Sequence, residues 1–509
     1  MLRLLVLTLC VQSLLQVVPM MVLAKPDFGI NLPITGSGKV SQAINDAKDV
    51  VDAVDENTLY TAESDYPGLQ DLADLLKSMA ELTVRLSDEL VPLVTSLVAD
   101  MSGNVAGAFG PVFTKIADIK TAIGTEMPMD NIAIGELVGH YVPEQFTDGF
   151  ARITDGLTEL ETILGSLKTA IDAAVLQAGA DAITPAIVKK NVKPALVYRV
   201  VFSINQLKAY IPEVKYTIDS TLENINLADD YVLLVSSAML ASDATTTQLQ
   251  AQMSAVTDAI STTVETALDG YVGDFDTLES NVGDYAAVAA ATDYTTLTTA
   301  LEAYKAHLDT LQPTKYPALD GYLAALLEVF NTALPSSGSS GGISSDLLDS
   351  LILTLIENGR YAQFCFYKYY GLVLAFLTTI ADNASLCFDK EERRLTYLKD
   401  SLPLITQLLP FDFDIILDQV GICDTITDST TLGECITTLS GFYTAIATEF
   451  GHKLQYLFDL IDAETEASGN RFLICIELVK LNLVEISESN LQDEIRQCAL
   501  DGPTADDNI

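Results

Sequence analysis

The sequence has no tryptophan, only three histidines and few bases: 28 Lys and Arg stand against 70 Asp and Glu in 509 residues, a formal net charge of −42. A surface this anionic repels phosphate, which excludes nucleic-acid binding and disfavours anionic lipid surfaces. His140, His307 and His452 are scattered and no Cys-x-x-Cys pair occurs, so no metal-ligand set is visible and no cofactor is expected. His-Glu-x-x-His is missing, as is a Gly-x-Ser-x-Gly elbow in a strand-turn-helix setting. With no grouping of base, nucleophile and oxyanion donors, the expectation is a protein that is not an enzyme. Past the N-terminus no segment reaches the ~18 continuous apolar residues that span a bilayer. The closest, Tyr369 to Ala381, is short and is followed by Asp382, so no membrane span is expected.

Apolar material is plentiful. Hydrophobic residues make up 49% of the chain and charged ones 19%, which suits a folded core and argues against global disorder despite the net charge. Residues 1–24 read as a secretory signal peptide. Arg3 supplies the positive start, Leu4 to Leu9 begin the apolar core, and Val22-Leu23-Ala24 places small residues where signal peptidase cuts. The alternative is an uncleaved anchor; Gln12, Ser13, Gln16 and Pro19 interrupt the apolar run and favour cleavage. The expected product is soluble, secreted and extracellular.

Helical periodicity runs through the cysteine-free region 25–334. Leu69, Leu72, Leu76, Met79, Thr83, Leu86, Leu90, Leu93 and Leu97 recur by three and four without a slip. A second stripe is Ile153, Leu157, Leu160, Leu164, Leu167, Ile171 and Ala174; a third is Leu249, Met253, Val256, Ile260 and Thr263, continuing towards Tyr271; a fourth is Leu297, Leu301, Tyr304, Leu308 and Leu311. Such spacing lines one face of an α-helix, and a period near 3.5 favours nearly parallel packing of long helices. Pro92 should kink the first run, and Pro313 suits the end of the fourth. No strand-like alternation stands out. The predicted fold is all-α: an elongated bundle of long amphipathic helices (25–334), a Gly/Ser linker (335–345), a disulfide-stapled helical domain (346–500) and an acidic tail (501–509).

Cys10 leaves with the signal peptide. The other six cysteines, Cys365, Cys387, Cys423, Cys435, Cys475 and Cys498, all lie in the last third, which in an oxidising compartment reads as three disulfides. Cys365 to Cys387 spans 22 residues and Cys475 to Cys498 spans 23. Two antiparallel helices about 33 Å long between their cysteines fit those spacings. Cys365 would then face Cys498, Cys387 would face Cys475, and Cys423 and Cys435 would close a local loop. Six cysteines admit 15 pairings, and spacing alone does not choose among them.

The order Cys365-Phe366…Tyr370, Cys387, Cys423…Cys435, Cys475, Cys498 resembles the TsetseEP domain of insect secreted proteins, over roughly 360–500. The resemblance implies an insect extracellular protein, of gut or another epithelial lumen, and carries no catalytic residues. The acidic dipeptide repeats of that family are absent here.

Smaller motifs are weak. Gly36-Ser37-Gly38-Lys39 is similar to the end of a phosphate loop, but Pro33 takes the place of the first glycine and Val40 that of Ser/Thr. Asp274, Asp276 and Glu279, and Asp412 and Asp414, lack calcium-loop spacing and read as solvated faces. Asn383-Ala384-Ser385 is the only glycosylation sequon, usable if exposed. The function expected is that of a non-catalytic structural or interaction protein, its charge favouring cationic peptides or proteins through salt-sensitive electrostatics. The alternative is a carrier of lipid or another apolar ligand in a helical cavity.

Overall fold

In the computed structural model the described residues are 27–56, 58–333, 346–409 and 413–503. The expected signal peptide (1–24), the expected Gly/Ser linker (335–345) and most of the expected acidic tail lie outside them. The described chain is all-α, as expected, and includes α1 (Ser37–Asp52), α2 (Leu69–Arg85), α3 (Val91–Ala99), α4 (Val105–Val138), α5 (Tyr141–Ala178), α6 (Pro185–Asn191), α7 (Pro194–Val282) and α8 (Ala286–Ala290). It continues with α9 (Tyr294–Leu308), α10 (Tyr316–Ala333), α11 (Asp346–Ile356), α12 (Ala362–Thr406), α13 (Phe413–Asp424), α14 (Ser429–Lys480) and α15 (Ser489–Asp501). No strand occurs among the described residues; an isolated bridge pairs Asp27 with Ile30.

These helices form two compact units that do not follow the cysteine boundary. The first gathers the described residues up to Leu233, those from 346 to Tyr369, and those from Glu494 onward. The second gathers Leu234 to 333 and the described part of Tyr370–Asp493. The cysteine-free region and the six-cysteine region therefore each contribute to both, because α7 and α12 continue from one into the other.

In the first unit α4 packs along α5, and α2 along α4. The second sequence stripe, Ile153 to Ala174, is wholly buried on α5. On that helix Gly149 and Gly156, seven residues apart, form a notch for α7. A Cβ on Gly149 would lie 2.9 Å from Val214 Cγ2, and one on Gly156 3.1 Å from Leu207 Cδ1. Leu207 and Val214 are also seven apart, so two turns of each helix interlock there. Gly139, with φ +77°, ends α4 in a conformation that a side chain would strain.

Buried polar groups lock the rest. Asn224, fully buried on α7, donates to Leu355 O at 2.9 Å and to Asn358 Oδ1 at 3.0 Å, and accepts from Gln363 Nε2 at 2.9 Å. Asn358, at φ +52°, donates in turn to Ser220 Oγ and Thr221 Oγ1. Asp229 accepts from Tyr60 Oη at 2.8 Å and from the Glu63 and Ser64 amides at 2.7 and 2.9 Å, and also from Ser64 Oγ. Burial alone would raise its carboxyl, but these bonds together hold it below the ordinary value.

The second unit is built on α14, against which α9, α10 and α13 pack. Its core is filled by rings. Tyr304 stacks on Phe275 (centroids 5.1 Å) and on Phe450 (4.3 Å), with Phe413 edge-on to both Phe275 and Tyr304. Phe330, Phe388 and Phe472 form a second trio with centroids 4.4 to 5.4 Å apart. Beside them Glu391, 3% exposed, takes a forked pair of bonds from Arg471, a bond from Ser468 Oγ at 2.9 Å and one from Arg394.

Three sequence expectations need correction. The first stripe slips at one position: Val94, not Leu93, is buried between Val91 and Leu97. A π-turn at Leu86–Leu90 inserts an extra residue per turn just before Pro92, which then occupies the first turn of α3, where its missing N–H costs nothing. The third stripe runs Met253, Thr257, Ile260, Val264 and Leu268, leaving Val256 and Thr263 at its edge. A helix turning 3.6 residues drifts off a strict 3.5 pattern, and Thr257 enters the core by donating to Met253 O. Pro313 sits inside a π-turn, Leu311–Lys315, that joins α9 to α10; α9 itself ends at Leu308.

Candidate functional site

The disulfides are Cys365–Cys498, Cys387–Cys475 and Cys423–Cys435, with Cα atoms 5.8, 5.9 and 5.9 Å apart. This is the pairing that the antiparallel reading assigns, but 475–498 is not one α-helix: α14 passes through a π-helical stretch, Leu481–Glu488, before α15. Cys365–Cys498 belongs to the first unit and the other two to the second. Cys423–Cys435 holds the loop in which Asp424 accepts from the Ala287 and Val288 amides at 2.7 and 3.0 Å, capping α8.

A surface groove of about 350 Å³ lies over the Cys387–Cys475 bridge. Asn383, Leu386, Cys387 and Lys390 line it from α12; Cys475, Leu478, Val479 and Asn482 line it from α14 and the π-helical stretch. Leu386 and Leu478 are half exposed at 53% and 52%. Lys390 brings an ammonium to the rim. The groove can hold a short apolar segment with a negative or polar end; it has no nucleophile paired with a base.

Asn383, the sequon residue, is half-buried in mid-helix and donates to Thr379 O at 2.9 Å. The other motifs are occupied by the fold. Gly36, at φ +102°, precedes the first residue of α1, and Lys39 Nζ donates to Gln42. Lys305 bridges Asp276 at 3.7 Å and Glu279 at 2.8 Å; Asp412 lies outside the described residues. His140 stacks on Tyr141, His307 lies near Phe450, and His452 faces Glu449. No group of three or more metal-binding side chains occurs among the described residues.

The sequence reading passed over Leu386, Lys390, Leu478, Val479 and Asn482. A signal is there for four of them: Lys390 lies three residues from Cys387, and Leu478, Val479 and Asn482 lie three, four and seven from Cys475, on the cysteine's own helical face, whereas Leu386 is the neighbour of Cys387. The reading of α12 also changes. By length and composition it is a helix that could cross a membrane, with mean hydropathy 1.5 over an 18-residue window of which 31% is buried. A strict count of continuous apolar residues stops at Asp382, whereas a window average tolerates it.

Compared with known proteins, the chain matches no family model, no curated protein and no solved structure.

Proposed function

We propose that the protein is secreted and serves, without chemistry of its own, as a structural or interaction protein of an extracellular lumen. The observation that carries this reading is that two buried carboxylates, Glu391 and Asp229, and the buried amide of Asn224 are spent on the fold. Glu391 is saturated by Arg471, Arg394 and Ser468, Asp229 by the segment 60–64, and Asn224 by Asn358, Gln363 and Leu355. Catalytic groups are instead held poised and under-satisfied. Three intramolecular disulfides are typical of extracellular proteins. The apolar leader and the cysteine spacing resembling TsetseEP domains support an insect lumen.

The acidic surface suits cationic partners. Binding to immobilised polylysine should weaken steeply between about 0.05 and 0.5 M salt. Salt-independent binding refutes the electrostatic part. Export is tested by N-terminal sequencing of the secreted product, expected to begin at Lys25, and by thiol titration, expected to find no free cysteine.

The groove beside Cys387–Cys475 favours a second reading, a carrier of an apolar ligand, although the ring-filled core of the second unit supports a solid bundle. Organic extraction and mass spectrometry after native purification separates the two. A stoichiometric lipid supports the carrier; an empty extract supports the interaction protein.

A further inference from the structure

From Ala182 to Pro212 the chain has no acidic residue, in a protein with 70 acids among 509 residues. The same stretch carries Lys189, Lys190, Lys193, Arg199 and Lys208. It forms α6 and the first turns of α7, and its helical faces differ sharply. Val197, Val200, Ile204 and Ile211 are buried, while Tyr198 and Phe202, one turn apart, are 51% and 65% exposed. Lys189, Lys190, Lys193 and Arg199 are exposed as well. None of the five bases makes an ion pair within the described residues, whereas Lys215, the next base along α7, pairs with Asp219 at 2.7 Å. Elsewhere bases such as Arg85, Lys115, Lys120 and Lys305 are each drawn to a carboxylate. Exposed aromatic rings on a stretch of exposed, unpaired cations have the make-up of the anchor and rim of a protein interface, since Tyr and Arg dominate such contacts.

We propose that this basic, aromatic face of α6 and α7 docks the acidic helix α13 of a second copy of the chain. α13 is its complement. In twelve residues it has Asp414, Asp418 and Asp424 and no base. Ile415 and Ile422, two turns apart, are 53% and 64% exposed, with Asp418 exposed between them on the same face. Tyr198 and Phe202 lie against the two isoleucines, and Arg199 and Lys193 against Asp418. The contact joins two different faces, so it is heterologous and leaves one free face at each end of a pair.

Salt dependence carries a signature. Two chains of charge −42 repel at long range, and that repulsion reaches about 30 Å at 0.01 M salt but about 10 Å at 0.1 M. Contact pairs between the faces are screened later. Association should rise from about 0.01 to 0.1 M and fall again towards 1 M.

Sedimentation velocity on the full secreted chain tests this. The wild type should associate with increasing concentration near 0.1 M salt. The variants Lys193→Glu/Arg199→Glu and Asp418→Lys, all at exposed positions, should each associate at least about tenfold more weakly. Mixed together they should recover association, because the intact faces complement each other and the two exchanged faces again carry opposite charges. Circular dichroism confirms that both variants fold. A wild type that stays monomeric at every salt overturns the proposal, as does a mixture that stays monomeric. Co-sedimentation of the monomeric wild type with phosphatidylserine vesicles, lost in Lys193→Glu/Arg199→Glu, overturns it in favour of a lipid surface.

Discussion

Removal of the two long disulfides, singly and together, asks how much of this fold is held by restriction of the unfolded chain. Cys365–Cys498 closes a separation of 133 residues and Cys387–Cys475 one of 88 nested within it. Taken alone, the chain-entropy relation assigns them about 5 and about 4.6 kcal/mol. Nesting alters this. Once the outer ring is closed, the inner bridge divides it into arcs of 88 and 45 (133 less 88) residues. The effective loop is then only about 30 residues, so the inner bridge contributes about 3.6 kcal/mol. By the same arithmetic the outer bridge contributes about 4 kcal/mol when the inner one is present, and the two together about 8.6. Alanine pairs are the right perturbation, because Cys365 and Cys387 are buried and serine would bury an unpaired hydroxyl there. Guanidinium unfolding of Cys365→Ala/Cys498→Ala, Cys387→Ala/Cys475→Ala and the fourfold variant, followed by far-ultraviolet dichroism, measures the costs. The fourfold variant should lose about 1 kcal/mol more than the sum of the two pairs. Costs that add, or a fourfold loss smaller than the sum, would refute the loop-entropy account and point to local native contacts.

Other outcomes follow from buried polar groups. Asn224→Ala strips partners from the buried Leu355 carbonyl and from Gln363, and should destabilise by about 2–4 kcal/mol, with faster hydrogen exchange over 355–363. Glu391→Ala leaves Arg471 without its carboxylate and should cost about 3–5 kcal/mol by thermal unfolding; a neutral result would mean the ion pair contributes nothing net. Glu357 has its carboxyl pushed above the ordinary 4.5 by burial, against a weaker opposing pull from His140. A raised folded value means that its contribution is full below 4.5 and declines as pH rises through the folded value. Glu357→Gln should therefore be more stable than wild type at neutral pH and equal to it in acid; calorimetry at the two pH values decides. Asp229, held below the ordinary carboxylate value, contributes stability above the unfolded value and loses it as pH falls through the folded one. Exchange over 60–64 should accelerate there and not at neutral pH.

How much of this was legible beforehand differs from element to element. The α5 stripe could be read residue by residue, since seven positions at three- and four-residue spacing leave one burial pattern open. Leu93 in the first stripe, and Val256 and Thr263 in the third, are one residue away from the buried position, because π-turns and the drift of a 3.6-residue helix leave no mark in composition. The groove was half legible. Its cysteines announced themselves, but Lys390 and Asn482 became partners only once Cys387 and Cys475 were joined. The basic stretch 182–212 could be found by charge alone; that Tyr198 and Phe202 stand outside the core needed the packing of α7.

The sequence by itself determined an all-α chain, six cysteines poised for three bridges, and an acidic surface, because helical period, cysteine number and charge are local or additive properties. Tertiary structure alone decided which residues share a core. α7 and α12 each serve two units, and the packing of Gly149 on Val214 and of Gly156 on Leu207, the bonds of Asn224 to Leu355 and Gln363, and those of Glu391 to Ser468 and Arg471 join residues from 51 to 139 positions apart. Such contacts depend on where rods cross in space, and no window along the chain records the crossing.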